Sequence, residues 1–223
     1  MTKKCLALMV IGAIFLASPA LAKKDKTGVL EKELFTDSLT GYQFLVPYNW
    51  KLKTEKEPSL LRATLQKIRL ERLPAGGSQG YYDGERYIPT IRVLADTTSL
   101  SLERFCELLL AVKGQLPREK DYLMKLELLL QSKLESEQKI KIGGLEGIKY
   151  TFQKRYLKEV DDPRRLNLGQ VGNVTVEESI FGHIIVFKKE SRVFIIQCLG
   201  ERATFELEQR DYQKLFESWK FIS

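Results

Sequence analysis

Gly76-Gly77-Ser78-Gln79-Gly80 fits the G-x-S-x-G spacing of a hydrolase nucleophile elbow. Such an elbow needs its serine on a sharp strand-to-helix turn, followed along the chain by an acid and then a histidine. Asp161 or Asp162, then His183, supply that order. The local context does not fit. Tyr81-Tyr82-Asp83-Gly84 follows Gly80 where a helix should start, and His183 stands among apolar residues. The segment reads as a Gly/Ser loop, and a serine hydrolase using Ser78 is the weakest of three functional readings.

Other chemistry is sparser. His183 is the one histidine, and neither H-x-x-x-H nor C-x-x-C occurs, so the residue types for a zinc site are missing. A lone histidine on an apolar strand is expected to be a hydrogen-bonded core residue. Asp161-Asp162 is a poor cation site, because adjacent carboxylates point apart and calcium takes six or more oxygens. Gly76-Gly77 lacks the Lys-Ser/Thr of a phosphate loop. Asn173-Val174-Thr175 fits a glycosylation sequon and reads as chance beside a bacterial-type leader. No catalytic set, metal or cofactor is expected. What remains is recognition character: Tyr81, Tyr82 and Tyr87 beside flexible glycines, and Arg164 and Arg165 in a second long loop. Tyr and Arg are enriched where proteins meet partners.

The N-terminus bounds the compartment. Lys3 and Lys4 precede an apolar run from Cys5 to Ala17, and Ala20 and Ala22 close it with small residues two apart. That is the pattern a signal peptidase reads. The run is short of the ~20 residues of a comfortable membrane span. Residues 1–22 are expected to be a signal peptide cleaved after Ala22, leaving an exported protein of the periplasm or exterior with no transmembrane segment. Export removes two of 36 basic residues, so 34 face 29 acidic ones and the net charge falls from +7 to +5. The excess is scattered, without the block of like charge that marks a nucleic-acid binder. Cys106 and Cys198 then remain; export permits a disulfide between them, and two buried free thiols are the alternative.

The elements that must position these residues follow from periodicity. Residues 23–33 read as a flexible charged leader, and 34–223 as a single domain. Phe35 to Trp50 reads as strand, a turn at Thr40-Gly41, strand, and a stop at Pro47; Tyr42, Phe44 and Val46 share one face by the two-residue period. Strands are also expected at 50–53, 61–70 and 90–95. Ser99 or Ser101 caps a helix carrying Leu102, Phe105, Leu109 and Val112. A second helix is expected from Pro117 to about Glu137, with Leu123, Leu126, Leu130 and Leu134 as its stripe. Strands follow from Gln138 and from Ile148. Ile180–Phe187 and Val193–Leu199 are apolar on both faces, so they belong in the middle of a sheet covered on both sides. Their short connection makes them antiparallel. A last helix runs from about Thr204 to Ser218, burying Tyr212, Leu215, Phe216 and Trp219. Helices over both faces of a mostly antiparallel sheet meet these demands.

One pattern now allows a comparison. Phe35, Asp37, Gly41, Tyr42, Phe44, Pro47 and Trp50 resemble the opening of the PsbP-like family, which includes DcrB-type bacterial envelope proteins. Glu217-Ser218-Trp219-Lys220-Phe221 is similar to the family's closing helix, Ser-Phe and short strand, with Trp for Phe. The resemblance implies an α+β fold: an α/β/α sandwich with a central antiparallel sheet. It implies lumenal photosystem subunits or assembly factors among photosynthetic members, and exported proteins among bacterial ones. Lys23–Lys32 does not align with the docking segments of the photosynthetic members, so a photosystem role is not carried over. The leading functional reading is an exported, non-enzymatic binding or assembly module of the cell envelope. It would contact a protein or membrane-associated partner through its 74–89 and 160–173 loops. The alternative is a carrier holding a small apolar ligand between the sheet and the Leu-rich helix.

Overall fold

The computed structural model describes residues 26–68, 88–161 and 172–222. The signal-peptide segment, Ser78, Tyr81, Tyr82, Tyr87, Asp162, Arg164 and Arg165 lie outside the described residues. Among the described residues the chain forms two antiparallel sheets and three α-helices.

The small sheet is built from β1 (Val29–Glu31), β2 (Leu34–Asp37), β3 (Tyr42–Leu45) and β11 (Lys220–Phe221), in the order β1-β2-β3-β11. The large sheet has β4 (Trp50–Thr54), β5 (Leu61–Lys67), β6 (Thr90–Thr97), β7 (Ser132–Ile142), β8 (Leu145–Asp161), β9 (Asn173–Lys189) and β10 (Arg192–Glu201). Its order is β4-β5-β6-β10-β9-β8-β7. The apolar pair β9–β10 is therefore central, as its two-sided pattern requires.

Both faces of that pair are covered. On one side α3 (Arg202–Ser218) and the small sheet bury Ile185, Phe187, Phe194, Ile196 and Cys198. On the other, α1 (Leu102–Ala111), α2 (Glu119–Lys125) and the single turn Glu127–Leu129 bury Ile184, Val186, Val193, Ile195 and Leu199. The architecture is an α/β/α sandwich. Cys106 and Cys198 fall on opposite sides of the sheet and both thiols are free, so the disulfide gives way to the free-thiol alternative. Burial pushes the Cys106 thiol up to about 12 and raises Cys198 further.

The opening stretch closes on the end of the chain. Tyr42 stacks on Trp219 at 4.4 Å between ring centroids, and Phe44 stacks on it at 5.5 Å. β11 pairs with β3, and Leu45 N–H donates to Ser218 Oγ at 2.9 Å. Gly41 takes φ +75, as a tight β2–β3 turn needs. Asp37 accepts from Thr40 N–H inside that turn and, fully buried, receives Arg62 Nε at 2.6 Å and Nη2 at 3.1 Å. This two-pronged pair pins the small sheet to β5.

Two expectations change. Residues 26–33 are tied in from Lys26: that residue bridges Lys56, Thr27 is buried against Arg62, and β1 pairs with β2. Thr27 supplies a hydroxyl that bonds Arg62 O and accepts from Glu55 N–H, a signal too short to register in a charged leader. The second helix is much shorter than Pro117–Glu137. It ends at Lys125, a single tight turn follows, and Ser132–Ile142 is strand β7. Leu128 explains the break. Its N–H donates to buried Gln197 Oε1 at 3.1 Å, and its side chain fills the space over Gly182, where a Cβ would come within 2.4 Å of it. A continued helix would forfeit both and leave β8 without its outer partner.

Arg62→Leu should lower unfolding free energy by about 3–5 kcal/mol in denaturant titration, because the Asp37 carboxylate stays buried without its partner. Asp37→Leu/Arg62→Leu should cost less than Arg62→Leu alone.

Candidate partner surface

The strand register turns the strand ends that flank both long connections toward one end of the large sheet. Gln66 pairs with Thr90, Thr90 with Leu199, and Glu201 with Ile180, which pairs with Lys154. Residues 69–87 therefore leave and re-enter where β5 ends and β6 begins. β8 and β9, which flank residues 162–171, run past the same end, termed distal here. Sequence alone does not show that the strand ends flanking 69–87 and 162–171 point the same way; antiparallel register does.

β8 and β9 continue as a two-stranded ribbon from Arg155↔Ser179 to Asp161↔Asn173. β7 stops pairing at Lys154 and β10 at Ile180, so neither flanks it. Seven residues at ~3.3 Å each carry it roughly 20 Å past the sheet. Tyr156 donates from its hydroxyl to Glu201 at 3.0 Å, and Arg155 pairs with Glu177 at 3.2 Å, bracing the base. Leu157 is 74% exposed.

Other exposed apolar side chains gather at this end. Tyr48 is 76% exposed and Ile68 is 62% exposed. They are adjacent because Ile68 N–H donates to Asn49 O at 2.7 Å. Ile88 is exposed where the chain re-enters β6. Beneath them lies a charged pin that sequence reasoning missed. Lys67 Nζ bonds Glu208 at 2.7 Å and Asp211 at 2.6 Å, while Trp50 Nε1 donates to Asp211 at 2.8 Å. Burial pushes the Glu208 carboxyl up. Burial also acts to raise Asp211, but hydrogen bonds from Lys67 and Trp50 outweigh it and hold its pKa down. The pin locks α3 to β4 and β5.

A concavity lies between α3 and the β7–β9 wing. It is a cleft of about 320 Å³ lined by Ile140, Lys149, His183, Gln209, Gln213 and Phe216 among others. It exists because α3 covers β9 and β10 and stops short of β7 and β8, whose Lys149 and Thr151 face outward. The carrier reading placed its ligand between the sheet and the Leu-rich helix. That helix is absent beyond Lys125, and the cleft is on the opposite face with a half-polar lining.

His183 is buried and satisfied. Thr151 Oγ1 lies 3.1 Å from Nδ1 and Gln209 Oε1 lies 3.3 Å from Nε2. Gln209 Oε1 can only accept, so Nε2 carries the proton and Thr151 donates to Nδ1. Both nitrogens thus engage neutral side chains, without the acid a hydrolase triad requires. Burial and the nearby Lys149 charge push the His183 pKa down to about 4.

No family model matches the chain, and no curated protein does. Solved structures do. The chain is similar to LpqN of Mycobacterium tuberculosis, a protein involved in cell envelope biogenesis, at 10% identity and a TM-score of 0.45, over 90% of this chain and 92% of that one. It is similar to cyanobacterial PsbP from Synechocystis at 11% identity and a TM-score of 0.47, over 87% of this chain and 95% of that one. PsbP is thus among the structures it resembles. Among the described residues no helix is long and apolar enough to cross a membrane.

Folded His183 binds fewer protons than the unfolded chain between its pKa of about 4 and the ordinary 6.5. Stability should therefore fall as pH falls through that window, by roughly 3 kcal/mol if the whole shift is expressed. His183→Gln should flatten the denaturant midpoint over pH 6.5 to 4 relative to the parent chain.

Proposed function

We propose that this chain is an exported, non-enzymatic binding or assembly module of the cell envelope, and that its distal end meets a protein or membrane-associated partner. The observation that carries the reading is the common origin of the two long connections, on a rigid sheet, beside a projecting ribbon and exposed Tyr48, Ile68 and Leu157. Rigid scaffolds that hold variable connections at one end are the usual way a fold presents a recognition surface. The N-terminal charge, apolar run and small-residue stop support export.

Tyr81, Tyr82, Tyr87, Arg164 and Arg165 belong to connections that depart from this end, and the proposal assigns them to the contact. The aromatic and cationic composition suits a protein surface, where Tyr and Arg contribute most per residue. A hydrolase role for Ser78 lacks a histidine with a carboxylate partner. A carrier role would use the α3 cleft.

A photo-crosslinking residue at Leu157 or Tyr48 tests this in cells. Each should trap one discrete adduct of constant mass, and Leu157→Asp should reduce the Tyr48 adduct at least several-fold. The same crosslinker at Glu190, on the turn at the other end of the sheet, should trap none. Equal labelling from all three positions, or background alone at Leu157 and Tyr48, would overturn the reading.

A further inference from the structure

β7 is the outer strand of the large sheet, and among the described residues nothing pairs with its outer edge. It is eleven residues long and exposed over most of its length. A long free edge is a template for another strand, and proteins blunt such edges with charges and bulges. β7 has both: Lys133, Glu135, Glu137, Lys139 and Lys141, and a register shift between Leu134 and Ser136. The order of the charges is what carries an inference.

We propose that β7 is a homodimer interface, on which a second copy of the chain pairs its own β7 antiparallel about a two-fold axis through Gln138. This goes beyond the distal-end reading and uses a different surface. In that register Glu137 lies opposite the second copy's Lys139, Lys139 opposite its Glu137, Glu135 opposite its Lys141, and Lys141 opposite its Glu135. Every directly opposed charged pair is of opposite sign. Such pairs stabilise an antiparallel ladder, and like charges directly opposed destabilise it.

Neighbouring registers fail. A two-fold axis perpendicular to a sheet pairs residues that share a face, so the register moves in steps that keep this match. Centring on Glu137 sets it against itself and Lys133 against Lys141. Centring on Lys139 sets it against itself. Centring on Ser136 opposes Glu135 to Glu137 and Lys133 to Lys139. The registers centred on Glu137 and Lys139 keep one matched pairing each, Glu135 with Lys139 and Glu137 with Lys141, but of the registers centred on residues 136 to 140 only the one on Gln138 opposes no like charges, which is how charge patterns favour one alignment.

The faces agree with the pairing. Glu137 and Lys139 stand across from Tyr150 and Ile148, which belong to the α1-side core, so both charges project on that face. Ser136 and Ile140 stand across from Thr151 and Gly147 on the α3 side, and the pairing sets half-buried Ile140 against the second copy's Ser136. Gln138 meets its own copy at the axis. The bulge at Leu134–Ser136 ends the regular run, so the Glu137–Lys139 pairs lie inside it and the Glu135–Lys141 pairs sit at its margin, on the bulge.

The axis gives a sharp test. In cells making the full chain, Gln138→Cys brings two thiols directly opposite, with Cα atoms about 5 Å apart and within disulfide reach. Mild oxidation should convert most of it to a linked dimer on a non-reducing gel. Lys133→Cys should stay at the background of the unsubstituted chain, since its two copies would lie about 33 Å apart. Glu137→Lys added to Gln138→Cys should cut the linked fraction at least several-fold, and Lys139→Glu added to both should restore it. An absence of linked Gln138→Cys dimer would overturn the proposal. So would equal linking at positions 133 and 138, or a linked fraction that ignores the charge swap.

Discussion

Ile184 to Phe187 and Val193 to Leu199 place apolar side chains on both sides of two adjacent strands, and that demand organises the molecule. A strand apolar on both faces is stable only between two layers. α1, α2 and the turn after it supply one. α3 alone is too narrow to supply the other, so the small sheet and Trp219 complete it: Tyr42, Trp219 and Phe221 pack on Phe187 and Phe194, with Phe35 and Phe44 packed behind them. The beginning and end of the chain meet in that layer. This is why the opening motif and the closing Ser-Trp-Lys-Phe are both needed, although they stand far apart in sequence.

The same constraint sets where the surface is free. Helical cover is spent on β9, β10 and their neighbours, so part of the α3-side face of β7 and β8 stays wet and, among the described residues, β7 keeps an open edge. Antiparallel register then sends the two long connections to one end. The ribbon is the part of β8 and β9 that outruns its neighbours. The distal surface, the cleft and the free edge are thus consequences of one distribution of cover.

Much of this was legible in local pattern. The Phe35–Trp50 hairpin, a serine cap at Ser99 or Ser101, the central strand pair and the last helix all follow from period and turn chemistry; the structure selects Ser101, whose hydroxyl accepts from Arg104 N–H at 3.2 Å. The segment after Pro117 did not. Leu123, Leu126, Leu130 and Leu134 keep a helical spacing, yet Leu128 and Gln197, distant in sequence, decide its fate. The Lys67–Glu208–Asp211 pin was equally invisible, since its partners are more than a hundred residues apart and carry no motif. Tyr81, Tyr82, Tyr87, Arg164 and Arg165 were singled out by composition alone. What geometry added is the shared end from which their segments depart.

Backbone amide exchange read by mass spectrometry tests the layered core most directly. Amides of 182–187 and 193–199 should exchange last, at the rate set by global unfolding, while those of 155–161 and 173–179 exchange orders of magnitude sooner. Central-strand amides that exchanged as fast as the ribbon would show that one face of β9 and β10 is open, and would contradict the architecture on which the rest depends.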